Sequence, residues 1–63
     1  MDIGKNIRKR REELGMTQVE LAEAVNVRPS MICQVENGRK SPSMVLGKDI
    51  AKVLGCTMDS LAV

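Results

Sequence analysis

The chain predicts an all-α fold, a compact bundle of five short helices. Three observations carry this expectation. Apolar residues recur at helical rather than alternating spacing, as at Ile3, Ile7 and Leu14. Glycines follow such stretches at Gly15, Gly38 and Gly55, where a helix end takes the left-handed conformation. Helix-opening residues, Thr17 and the pair Pro42-Ser43, stand between them.

Each element has its own local signal. The first helix is expected over residues 3–14, with charged residues between its apolar positions and Gly15 as its stop. The second is expected over about 17–24. Thr17 with Glu20 three positions on makes a capping box, and Leu21, Ala22 and Val25 form the buried stripe. Asn26 takes the turn, because a short polar side chain tolerates the left-handed conformation. The third helix is expected over about 29–37, with Pro29 at its first position, where the missing N–H costs nothing. The fourth opens at Pro42-Ser43, runs to Leu54 and ends at Gly55; Thr57 caps a last short turn through Leu61. Residues 1–63 thus make a single domain, with no repeat or linker.

Composition narrows the function classes. A chain of 63 residues buries about 60% of its unfolded surface, which is marginal but viable. There is no Phe, Tyr or Trp, so the core is aliphatic, with Met filling gaps. The stacking platforms that bind single-stranded nucleic acid are absent as well. There is no histidine, so a tetrahedral zinc site would lack common ligands, and no cofactor or metal is expected. Two cysteines, Cys33 and Cys56, make no disulfide framework; Cys56 reads as core. No apolar run approaches a membrane span, and no signal peptide opens the chain, so the expected location is cytoplasmic. The net charge is only +2, but its distribution is uneven. Lys5, Arg8, Lys9, Arg10 and Arg11 crowd the start, while Arg28, Arg39 and Lys40 flank the third helix.

The third helix has two faces. Ile32 and Val35, with Met31 at the edge, form one. Ser30, Cys33, Gln34 and Asn37 follow i, i+3, i+4, i+7 along the other. An amide can pair bidentately with adenine N6 and N7, and small neighbours let a helix approach base edges, which makes Gln34 the best candidate base reader; the pattern alone equally fits a solvated helix face. Arg28, just before this helix, is a poor N-cap and meets the positive end of the helix dipole. A local rule broken without visible gain marks a candidate functional residue, here one able to grip guanine or a phosphate.

Three segments together carry a resemblance: Thr17-Gln18-Val19-Glu20-Leu21-Ala22, Val27-Arg28-Pro29-Ser30-Met31-Ile32 and Val35-Glu36-Asn37-Gly38-Arg39-Lys40-Ser41-Pro42. They resemble the helix-turn-helix domain of phage repressor and Cro proteins and their bacterial relatives, the XRE family with its lambda repressor-like fold. The resemblance runs from about Ile3 to Leu61. It implies that Arg28, Pro29, Ser30, Cys33 and Gln34 face the bases. It implies phosphate contacts from Gln18 at the start of the second helix and from Asn37, Arg39 and Lys40 after the third. It also implies a structural ion pair between Arg11 and Glu36. Two features depart from the family pattern. Asn26 stands where relatives usually have Gly. In the fourth helix Val45 and Leu46 replace polar residues and Gly47 replaces a large apolar one, so either Leu46 fills the volume Gly47 leaves or an apolar patch is exposed.

The function implied is a sequence-specific duplex-DNA-binding transcriptional regulator, a repressor, without catalysis. One recognition helix reads few base pairs, so a homodimer on a palindromic operator is expected, weak without DNA. Val45, Leu46, Met58 and Leu61 are its candidate interface. The rival reading is a protein-interaction module, such as an antitoxin or anti-regulator, that uses the same fold.

Overall fold

A computed structural model describes residues 3–57 and Leu61. It contains four helices in the order α1 (Ile3–Glu13), α2 (Gln18–Ala24), α3 (Pro29–Glu36) and α4 (Met44–Val53). This corrects the expected five to four among the described residues. The anticipated last turn falls largely on residues 58–60, outside the described residues, although Leu61 is helical and its N–H donates to the Thr57 carbonyl at 3.3 Å.

Local chemistry sets the helix ends. Thr17 caps α2: its hydroxyl accepts from the Glu20 N–H at 3.0 Å, and the Glu20 carboxylate accepts from the Thr17 N–H at 2.9 Å. Ser43 caps α4 by accepting from the Leu46 N–H at 3.2 Å. Arg28 caps α3 only by its extended backbone, φ −74 and ψ 146, the conformation a following proline imposes. All four helices close by one device. The residue past the cap has positive φ, at Gly15, Asn26, Gly38 and Gly55, and two backbone bonds reach back into the last turn. At the α2–α3 turn these run from the Val27 N–H to the Ala22 carbonyl at 2.9 Å and from the Asn26 N–H to the Glu23 carbonyl at 3.2 Å. Asn26 at φ 60 therefore does what glycine does elsewhere in the chain.

The core is aliphatic throughout: Ile7, Leu21, Ala22, Val25, Ile32, Val35, Ile50, Ala51, Leu54 and Leu61. Helix α3 packs against both α1 and α2, and α4 packs against α2. Two expectations about the apolar residues change. Leu14 is exposed, because α1 ends before it and its side chain lies beyond the packed stripe. Leu61 is 3% exposed and belongs to the core, so its side chain is not presented as a surface for a dimer contact.

The buried stripe of α1 is Gly4, Ile7 and Arg11. A Cβ at Gly4 would collide with the Val35 carbonyl oxygen and lie 2.9 Å from that of Glu36. Helix α1 thus meets the end of α3 backbone to backbone. Polar struts then tie α1 to the rest. The Arg10 Nε donates to the Leu54 carbonyl at 3.0 Å, capping the end of α4, and the Asn6 side-chain amide donates to the Leu61 carbonyl.

Candidate nucleic-acid interface

Helices α2 and α3 form a helix-turn-helix in which α3 presents a divided surface. Ile32, Val35 and Glu36 face inward and are buried. Ser30, Gln34 and Asn37 are exposed, and Cys33 is half-buried between them. The Asn37 amide nitrogen lies 3.4 Å from the Cys33 sulfur and donates to it, so these two side chains are coupled along the exposed stripe. Arg28 and Pro29 stand exposed at the start of α3, and Arg39 and Lys40 stand exposed just past its end. The Arg28 side chain makes no capping bond, since a guanidinium offers no acceptor to the free N–H groups of the helix start.

The angle of α3 is fixed by a buried ion pair. The Arg11 Nε donates to Glu36 Oε2 at 2.7 Å and Nη2 donates to Oε1 at 3.0 Å, a bidentate geometry. Arg11 Nη1 also donates to the Met16 carbonyl at 2.7 Å, pinning the α1–α2 loop. Bonding to Glu36, reinforced by the charges of Glu36 and Glu12, outweighs burial and raises the Arg11 pKa above the usual arginine value. Arg11 is therefore charged throughout ordinary buffer conditions.

Gln18 is placed differently from a freely exposed phosphate ligand. Its Nε2 donates to Glu36 Oε1 at 3.0 Å, so it joins the ion pair. The capping box also engages the Thr17 and Glu20 N–H groups, and the Leu21 N–H bonds the Thr17 carbonyl. Only the N–H groups of Gln18 and Val19 remain at this helix end, beside the negative charge of Glu20. Backbone attraction for an anion here is correspondingly reduced.

The basic start of the chain divides by function. Arg11 is buried in its ion pair and Arg10 caps α4, while Arg8 makes an exposed 3.5 Å pair with Glu12. Exposed pairs of that kind contribute little stability. The interface candidates Val45, Leu46 and Met58 also divide. Val45 is 72% exposed, as is its neighbour Met44, while Leu46 packs against the core and Gly47 is buried. Leu46 filling space and an exposed patch thus occur together, on neighbouring residues. Met58 lies outside the described residues.

Three structural residues escaped the sequence reading. Gly4 had a signal, a glycine three positions before a core Ile inside a helix, where it costs up to about 1 kcal/mol relative to Ala. The Arg10 and Gln18 partners had none, since they lie 44 and 18 positions away. A surface cleft of about 450 Å³ is lined by Ala24, Val25, Asn26, Asp49, Lys52 and Val53, and shares no residue with the α3 face. Among the described residues, no group of three His, Cys, Asp or Glu could hold a metal ion.

A family profile described as helix-turn-helix matches residues 7–61. The chain belongs to this helix-turn-helix family, of the phage repressor and Cro type. It is 53% identical over 49 residues to an uncharacterized HTH-type transcriptional regulator of Methanothermobacter thermautotrophicus, covering 78% of this chain and 71% of that one. It is 40% identical over 53 residues to a putative multi-protein-binding factor 1 of Yarrowia lipolytica, covering 84% of this chain but 35% of that protein. Its fold superposes on the solution structure of the DNA-binding domain of the P22 C2 repressor with a TM-score of 0.94. That pair is 31% identical, with 98% and 82% of the two chains covered. The crystal structure of SinR, a master regulator for biofilm formation, in complex with DNA gives a TM-score of 0.90 at 29% identity, covering 97% and 98%. Among the described residues, no helix is long and apolar enough to cross a membrane.

Proposed function

We propose that this helix-turn-helix regulator is a repressor that reads a palindromic operator in duplex DNA as a homodimer in the cytoplasm. The observation that carries the reading is the divided surface of α3. A buried apolar face anchors it, and an exposed stripe of small and amide side chains runs between cations at both ends. Gln34 pairs with adenine and Arg28 with guanine, while Pro29, Ser30 and Cys33 let the helix approach closely. Gln18, Asn37, Arg39 and Lys40 hold phosphates and set the register. The reading assigns binding alone to this chain, with no reaction and no cofactor.

If a dimer neutralises about 6 to 10 phosphates, affinity is expected to fall on the order of 10³ to 10⁵ between 50 and 200 mM salt. A titration by fluorescence anisotropy checks this, and flat affinity would refute it. Gln34→Ala and Arg28→Ala are each expected to cost about 1 to 3 kcal/mol of preference for the selected site over random duplex. Arg39→Ala is expected to weaken all sequences alike. An unchanged preference after Gln34→Ala would remove that residue from the base readers.

The dimer contact rests on Met44 and Val45, each 72% exposed at the start of α4. Val45→Glu is expected to abolish cooperative filling of a palindrome and leave the melting temperature unchanged. Sedimentation with and without a palindromic duplex decides it, and a strict 1:1 complex in the parent protein would dismiss the dimer. The same two side chains favour a second reading, a protein-docking module, for which the relative named a multi-protein-binding factor is a precedent. Selection from random duplex DNA separates the two, since only the repressor reading yields an enriched sequence.

A further inference from the structure

The Gln18 amide is where the fold and the DNA face meet. Its Nε2 donates to Glu36 Oε1 at 3.0 Å, the oxygen that also accepts from Arg11 Nη2. The Glu36 side chain is 1% exposed, while Gln18 is half-buried. A primary amide has a donor side and an acceptor side of nearly the same shape. Against a carboxylate, which only accepts, the two are not equivalent. The amide must turn its nitrogen inward, because the opposite orientation would set two oxygens against each other. One N–H of Nε2 is used by Glu36, and the other remains. A phosphate also only accepts.

Building on the DNA reading above, we infer that Glu36 is a positioning residue for the backbone contact. It holds the Gln18 amide by its nitrogen, so that the second N–H of that nitrogen is available to a phosphate oxygen. Glu36 then has two tasks. It neutralises Arg11, and it dictates the orientation of an amide that would otherwise turn freely. The first task needs only a negative charge. The second needs an obligate acceptor at this place.

The test is a mutant cycle on the full chain, with a duplex of random sequence at fixed salt and at a temperature where circular dichroism shows each variant folded. Q18A is expected to weaken binding about threefold to tenfold, the worth of one hydrogen bond. E36Q keeps the shape but offers both a donor and an acceptor, and is expected to cost a similar factor. In the Q18A background E36Q is expected to cost nothing further. A merely structural role, such as a tilt of α3, would cost as much there as in the parent. Fully additive losses, or wild-type affinity for E36Q, would overturn the inference. If E36Q does not fold, the parent protein still decides. Nuclear magnetic resonance should show one Gln18 amide proton shifted downfield and protected in the free protein, and the other moving when random duplex is added. Two unprotected protons at the shifts of a solvated amide, or no response of either to DNA, would overturn it. A parent protein that binds duplex with no loss in Q18A overturns this inference alone. A parent protein that ignores duplex DNA overturns the DNA reading and this inference together.

Discussion

Glu36→Ala is expected to lower the stability of the domain sharply, with a much reduced urea midpoint. The substitution leaves the Arg11 side chain, 9% exposed, hydrogen-bonded to the Met16 carbonyl but without its bidentate carboxylate partner. Breaking a buried pair by removing one partner costs about 3 to 5 kcal/mol, because the remaining charge is neither solvated nor paired. Single domains hold roughly 0.05 to 0.15 kcal/mol per residue, so the whole stability here is on the order of 3 to 9 kcal/mol. One substitution therefore removes most of it. Replacing both partners by apolar residues of similar volume, as in Arg11→Met with Glu36→Leu, is expected to restore folding, since the cost lies in the orphaned charge. Urea melts followed by circular dichroism check both. A Glu36→Ala midpoint equal to the parent's would show that the pair contributes nothing. Alkali offers no route to the same effect in ordinary buffers. A raised arginine pKa contributes stability that is present below the unfolded value and lost only as the pH rises through the folded one, which lies higher still.

Gly4→Ala is expected to destabilise, against the ordinary sign of the change. In an open helix the substitution gains about 1 kcal/mol of helix propensity. Here the new Cβ would overlap the Val35 carbonyl oxygen and sit 2.9 Å from that of Glu36, which are backbone atoms at the end of α3. No side chain can rotate out of the way, so α1 must lift. Overpacking of this kind costs about 1 to 3 kcal/mol, on the order of 10 °C in melting temperature for a domain this small. The lift also draws Arg11 away from Glu36, so Gly4→Ala and Glu36→Ala are expected to be strongly non-additive. A Gly4→Ala protein that melts higher than the parent would show that α1 and α3 are not in backbone contact.

Helix ends were readable because their causes are local. Thr17 with Glu20, Asn26 at the turn, Pro29 at the start of α3 and Gly38 at its end each act within a few residues. The exposed stripe of α3 was readable for the same reason, since helical periodicity alone puts Gln34 and Ile32 on different faces. Leu14 shows where periodicity misleads. It keeps the apolar spacing of α1, but it lies past the end of the helix and is 45% exposed. Val45 and Leu46 are neighbours of similar chemistry, yet one is exposed and the other packs on the core, because which side α4 turns inward depends on how α2 receives it.

By itself, the sequence determined an all-α helix-turn-helix chain with an aliphatic core and an exposed amide-bearing stripe on α3, because capping, turn geometry and helical periodicity are short-range physics. Only the tertiary structure decided that Gly4 is a crossing point, that Leu61 is core, that Arg10 closes α4 and that Gln18 shares the Glu36 carboxylate. Each of these depends on atoms brought together from distant parts of the chain. A glycine, a leucine or a glutamine carries no mark of its partner until packing supplies a carbonyl, a cavity or a carboxylate within reach.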